Sequence, residues 1–167
     1  MTAASAIARR FVLTGHVQGV GFRPFVHRLA SRHNLDGSVC NRLGEVEIVV
    51  QGESRAVAAF ARDVISAAPP LAAPRVTLDE PWSVDRNLRG FLIAPSESGH
   101  AARIFVPADQ FMCDDCRREL EDPTDRRFQY PFINCTQCGP RYTLIERLPY
   151  DRPNTTLAQF SLCADCG

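Results

Sequence analysis

Six of the chain's seven cysteines stand as three Cys-x2-Cys pairs between residues 113 and 167, and this spacing restricts the fold more than any other feature. Cys113 and Cys116 are followed after 18 residues by Cys135 and Cys138, and after a further 24 by Cys163 and Cys166. A Cys-x2-Cys pair presents two thiolates from one tight turn, so two such turns can supply four ligands to one tetrahedral ion. Gly139, directly after Cys138, suits such a turn. A segment of 55 residues with little apolar content needs a staple of this kind to fold. Four thiolate ligands leave no open coordination position, so the expected ion is structural. Zinc fits the donor set, and iron fits four thiolates too.

Cys163 and Cys166 are left over. They lie 50 residues after Cys113 and Cys116, a separation in the range of a repeated module. The expectation is the first pair of a second, incomplete module, in a chain that is a fragment ending at Gly167. Recruitment of a metal from a partner chain is the alternative.

The two parts of the chain also differ in charge. Residues 1–90 carry 11 Arg against 8 acidic groups, and residues 91–167 carry 8 Arg against 11. The resulting +3 and −3 cancel to the overall net charge of zero. A neutral chain with an acidic cysteine-rich part argues against electrostatic nucleic-acid binding, which calls for a basic surface. All 19 basic residues are Arg, so lysine Schiff-base chemistry and a lysine P-loop are excluded. No stretch approaches the ~20 apolar residues of a membrane helix. Arg9-Arg10-Phe11 lacks the apolar run that a signal needs after its charges. A cytoplasmic protein is expected, and there paired cysteines favour metal over disulfides. The small, polar run from Pro95 to Ala102 reads as a linker. The expected organisation is a domain over 1–93, a linker over 94–108 and a finger-like region over 109–167.

The first part has a readable order of elements. A strand is expected over 7–14. Phe22, Phe25, Val26, Leu29 and Ala30 recur at helical spacing, which predicts a helix over 23–33. A strand begins at Ser38-Asn41, and Val46, Ile48 and Val50 alternate on a third. Val57, Phe60, Ala61, Val64 and Ile65 mark a second helix, stopped by Pro69-Pro70. Residues 75–78 and 91–93 are late strand candidates. The order βαββαβ is the ferredoxin-like arrangement in the α+β class.

Between the first strand and the first helix lies VQGVGFR, residues 17–23. Gly19 and Gly21 open backbone conformations that other residues avoid. Successive N–H groups can then form an anion-binding nest at a helix N-terminus, with Arg23 adding a two-pronged charge. Spacing alone also allows a plain tight turn. Pro24 stands where a dinucleotide fingerprint has its third Gly. His16, His27 and His33 read as structural or surface residues, and Cys40 as a small buried strand residue.

VQGVGFR, with GSVCNRLGEVEIVVQG at 37–52, closely resembles the acylphosphatase family over roughly residues 8–93. The resemblance implies that the backbone of Gln18, Gly19, Val20, Gly21 and Phe22 binds the substrate's phosphate. It implies that Arg23 holds that phosphate and that Asn41 positions the attacking water. The stretches around Arg126-Arg127, Tyr130–Thr143 and Leu148–Thr155, with Arg23-Pro24-Phe25-Val26, further resemble the HypF family of hydrogenase maturation carbamoyltransferases. That likeness implies hydrolysis of carbamoyl phosphate to phosphate and carbamate. It also implies zinc and a HypE-like partner that accepts the carbamoyl group. The family's nucleotide and transferase sites are missing from this sequence, so complete carbamoyl transfer is not expected of it alone. The competing expectation is a zinc-dependent interaction module whose first domain binds anions without turnover.

Overall fold

A computed structural model describes residues 6–42, 44–96, 112–135, 138–139, 141–148 and 150–164. The first part forms strand β1 (Ala6–His16), helix α1 (Phe22–Arg32), strands β2 (Asp36–Arg42) and β3 (Glu45–Glu53), helix α2 (Ser54–Ser66), and strands β4 (Ala73–Trp82) and β5 (Phe91–Ile93). The sheet order is β4-β1-β3-β2-β5. The expected βαββαβ core is present, and both late strand candidates are strands. Short β5 extends the sheet, pairing parallel with β2. β4 is an edge strand, which explains how it accommodates Pro74 and Pro81.

Periodicity dictates the packing. The inward row of β2 is Gly37, Val39 and Asn41, and that of β3 is Val46, Ile48 and Val50. Phe22, Phe25, Val26, Leu29 and Ala30 line the buried stripe of α1, while Val57, Phe60 and Val64 line that of α2. These residues join Phe11 and Leu13 in one core, so both helices cover the same face of the sheet. The Phe11 and Phe60 rings tilt against each other at 6.3 Å between centroids. Ile65, expected on the α2 stripe, is exposed. It follows Val64 by about 100° of helical rotation, which carries it off the buried face. Cys40 is half-buried on the outward row of β2, not fully buried as expected. Polar pairing covers the other face of the sheet. The Arg10 guanidinium bonds Glu47 and Glu80 and lies 5.4 Å from the Trp82 ring.

The second part is sparse. Helix α3 (Asp114–Glu121) starts directly after Cys113, and three 3-10 turns follow, at Tyr142–Leu144, Arg152–Asn154 and Thr156–Gln159. A bridge joins Ile145 to Thr155. The apolar cluster here consists of Cys116, Ile133 and Cys138, with Met112, Cys113, Leu120 and Cys135 at its margin. Most of the expected linker, residues 97–108, lies outside the described residues. No helix among the described residues is long and apolar enough to cross a membrane.

Phe60 is fully buried at the meeting of helix and sheet. Phe60→Ala is expected to destabilise the first part by about 3–5 kcal/mol. Urea unfolding followed by Trp82, the only tryptophan, measures it directly. A loss below ~1 kcal/mol would mean that the cavity collapses or that Phe60 is not central to the core.

Candidate functional site

The loop that leaves β1 is pinned by its own side chains. Val17, Val20 and Phe22 are buried in the core, so the backbone between them stays at the surface of the sheet end. The Gln18 carboxamide donates to the Glu45 carbonyl at 3.2 Å, tying the loop to the start of β3. Gly19 and Gly21 both adopt left-handed conformations, with φ of 70° and 68°. Gly21 caps α1, whose first turn contains no acidic residue to neutralise its positive end. The result is a pinned glycine turn opening a helix whose N-terminus favours an anion.

Arg23 and Asn41 meet beside this loop. Asn41 ends the inward row of β2 and is 4% exposed, so its carboxamide needs a partner. Oriented with its oxygen toward Arg23, it accepts from Nε and Nη2 at 3.2 Å each. The adjoining edge of the same guanidinium, which shares Nη2, faces residues that the sequence reading had not singled out for the site. Nη2 forms an ion pair with Asp151, and Nη1 donates to Ser96 Oγ at 3.1 Å. Ser96 Oγ–H in turn donates to Asp151 Oδ2 at 2.7 Å. The histidines expected to be structural behave so where their contacts are seen. His27 packs edge-on against Phe91, and His33 pairs with Asp63 at 2.9 Å.

A cavity of about 340 Å³ opens onto the loop. Gln18, Gly19, Gly21, Phe22 and Arg23 form one wall, while Asn134, Cys135, Gly139 and Tyr150 of the cysteine-rich part form the other. Gly139 adopts φ of 73°, and a Cβ built on it would lie 3.5 Å from the Gly19 carbonyl oxygen. Gly139, next to Cys138, thus rests directly on the glycine loop. Asn134, Tyr150 and Asp151 lay within stretches already conspicuous in the sequence. Their approach to Arg23 is a contact between distant segments, which no local pattern encodes.

Cys113, Cys116, Cys135 and Cys138 converge, with all four sulfurs within 4.8 Å of one another. Sγ separations of 3.5 Å (Cys113 to Cys135), 3.7 Å (Cys116 to Cys138) and 3.8 Å (Cys135 to Cys138) are seen. A tetrahedron with metal–sulfur bonds of ~2.3 Å has edges of about 3.8 Å, so the donors fit a metal ion of that size. Burial pushes both the Cys116 and Cys138 thiols up. At Cys138 this is outweighed by backbone hydrogen bonds and by the Arg141 guanidinium, which hold it down at about 6. Arg141 Nη2 donates to Cys138 Sγ at 3.2 Å and to the Ile133 carbonyl at 3.1 Å, bracing the turn from outside the donor set. Cys163 does not join this group. It is exposed and lines a separate cavity of about 550 Å³ with Arg152 and Leu162. Cys166 lies outside the described residues.

The chain matches the Acylphosphatase family over residues 9–93 and the HypF finger over residues 112–145. The acylphosphatase of Actinobacillus succinogenes is 40% identical over 88 residues, covering 52% of this chain and 97% of that protein. The probable carbamoyltransferase HypF of Methanocaldococcus jannaschii is 41% identical over 146 residues, covering 87% of this chain and 19% of that protein. A crystal structure of full-length HypF in a phosphate- and nucleotide-bound form superposes with a TM-score of 0.79 at 40% identity, over 98% of this chain and 22% of the other. The chain belongs to the acylphosphatase family and carries a HypF finger beyond that domain. It corresponds to the N-terminal part of HypF carbamoyltransferases, spanning about a fifth of their length.

Metal binding should depend on the four converging cysteines alone. Cobalt(II) loading of the chain is expected to give the intense thiolate charge-transfer absorption of a four-sulfur site. Cys116→Ser should abolish the spectrum of that site, and Cys163→Ser should leave it intact. Equal loss in both variants would place Cys163 among the ligands.

Proposed function

We propose that the chain hydrolyses carbamoyl phosphate to phosphate and carbamate, as the N-terminal part of a longer HypF-type carbamoyltransferase in hydrogenase maturation. The observation that carries this reading is the convergence of Arg23 and Asn41 on a core-pinned glycine loop at a helix N-terminus. Backbone N–H groups of Gln18 to Phe22 receive the phosphoryl oxygens. Arg23 neutralises the charge they carry. Asn41, its oxygen engaged by Arg23, donates an amide N–H to a water and holds it for in-line attack on phosphorus.

The step balances without a strong base. The water oxygen forms a bond to phosphorus as the bond from phosphorus to the carbamoyl oxygen breaks. The water's protons pass to the phosphate product and the medium, and carbamate departs with the bonding electrons. A carboxylate-like leaving group needs no strong general acid, so positioning and charge stabilisation carry the reaction. This agrees with a site built from an arginine, an amide and backbone N–H groups.

Zinc at the four cysteines holds the finger in shape and takes no part in the chemistry. The finger's place against the loop supports a role for it as one wall of the substrate site. A HypE-like acceptor of the carbamoyl group belongs to the same reading, through the likeness to HypF carbamoyltransferases.

Phosphate release from carbamoyl phosphate and acetyl phosphate by the metal-loaded chain tests this function. Arg23→Ala should lower kcat/KM by about 10²–10³, the scale for removing one transition-state donor. Asn41→Ala should depress kcat more than it raises KM, as expected for a water-positioning group. A folded, metal-loaded parent that releases phosphate from neither substrate would sink the hydrolase reading and leave anion binding without turnover.

A further inference from the structure

We propose that Asp151 is a specificity-determining residue of the phosphate site, a tethered anion that the substrate must displace from Arg23. The proposal rests on the hydrolase reading above. A guanidinium offers two edges for a two-pronged grip on an oxyanion. At Arg23 one edge faces Asn41, and the other holds Asp151 and Ser96. A bidentate grip on phosphate therefore requires one of these partners to withdraw.

The two partners differ in freedom to move. Asn41 is nearly fully buried on β2, where its backbone is paired with Val46 of β3. The Asp151 side chain is 24% exposed, at the entry to the 3-10 turn Arg152–Asn154. Charge selects the same partner. A phosphoryl dianion on Arg23 would stand beside the Asp151 carboxylate, and like charges at that distance repel. Asn41 is neutral and meets no such penalty. The edge that opens is the one held by Asp151.

Displacement makes Asp151 a filter on ligand charge. A tethered carboxylate competes at high effective concentration with any carboxylate arriving from solution. A free monoanionic carboxylate gains nothing over Asp151 at Arg23. A phosphoryl group brings a larger charge and additional oxygens for the N–H groups of the loop, so it prevails. Ser96 sharpens the filter by donating to the Asp151 carboxylate and holding it in place. The site thereby favours phosphorylated acids over the carboxylic acids from which they derive.

Calorimetric titration of the metal-loaded chain with inorganic phosphate tests the proposal in the parent, Asp151→Asn and Ser96→Ala. Removing the competing charge in Asp151→Asn should tighten phosphate binding by up to about fivefold, the scale of one part-exposed ion pair. The same variant should melt at a lower temperature, because a contact between the two parts is weakened. Tighter binding with lower stability separates competition from a purely structural role, which would weaken both. Ser96→Ala keeps the carboxylate but frees it, and should shift binding in the same direction by about twofold. That variant decides the matter if Asp151→Asn does not fold. Phosphate binding that is unchanged or weaker in the folded variants, with the parent still binding, would overturn the role of Asp151 and leave the hydrolase reading standing. No phosphate binding by the parent or by either variant would overturn both.

Discussion

A guanidinium enclosed between two modules must satisfy its N–H groups, and the arrangement around Arg23 follows from that demand. The Arg23 side chain is only 16% exposed. Burial of such a group without partners is strongly unfavourable. Asn41 answers from the sheet, Ser96 from the segment after β5, and Asp151 from the cysteine-rich part. One side chain thus gathers three distant segments. The same side chain is the one best placed to meet an anion at the loop. The contact that joins the modules and the contact that would bind substrate are therefore alternatives for a shared set of donors.

The finger can take part only if it keeps its shape, and its apolar core is too small to do so alone. Among the described residues its buried cluster is Cys116, Ile133 and Cys138, two of them cysteines. Gly139, directly after Cys138 of the four-sulfur cluster, bonds back to the Cys135 carbonyl and is what rests against Gly19. Order at the sulfurs is thereby transmitted to the loop over a few ångströms of backbone. Arg141 adds a second brace, bonding both Cys138 and the carbonyls around the turn.

What could be read from the sequence was local or periodic. The apolar stripe of α1, the alternation in β3 and the Cys-x2-Cys spacing each repeat within a few residues, and each corresponds to an observed feature. Gly19 and Gly21 were legible because their positive φ angles are a property of single residues. Ile65 was misplaced because one residue of rotation separates stripe from surface, a distinction that hydrophobicity cannot make. Asp151 and Ser96 were not legible as site residues. Ser96 stood in a run that reads as linker, and Asp151 lies 128 positions from its partner Arg23. Such pairings are set by how two folded parts meet, and a single sequence carries no periodicity for that. Cys40 and Asn41 show the limit within one strand. They are adjacent, yet strand alternation puts only Asn41 on the face toward Arg23.

The choice of arginine at position 23 is a geometric requirement as much as an electrostatic one. A lysine ammonium would carry the same charge, but its three donors fan out from one nitrogen. It could not address Asn41 on one edge while presenting the other to Asp151 and Ser96. The planar fork can, because its donors point along two fixed edges. It can also surrender one edge while keeping the other, so Asn41 retains its orientation when an anion replaces Asp151. A water held by Asn41 would then stay aligned through substrate entry. In the proposed mechanism the fork separates the part of the site that must not move from the part that must, which would let a structural contact and a catalytic one share a single residue.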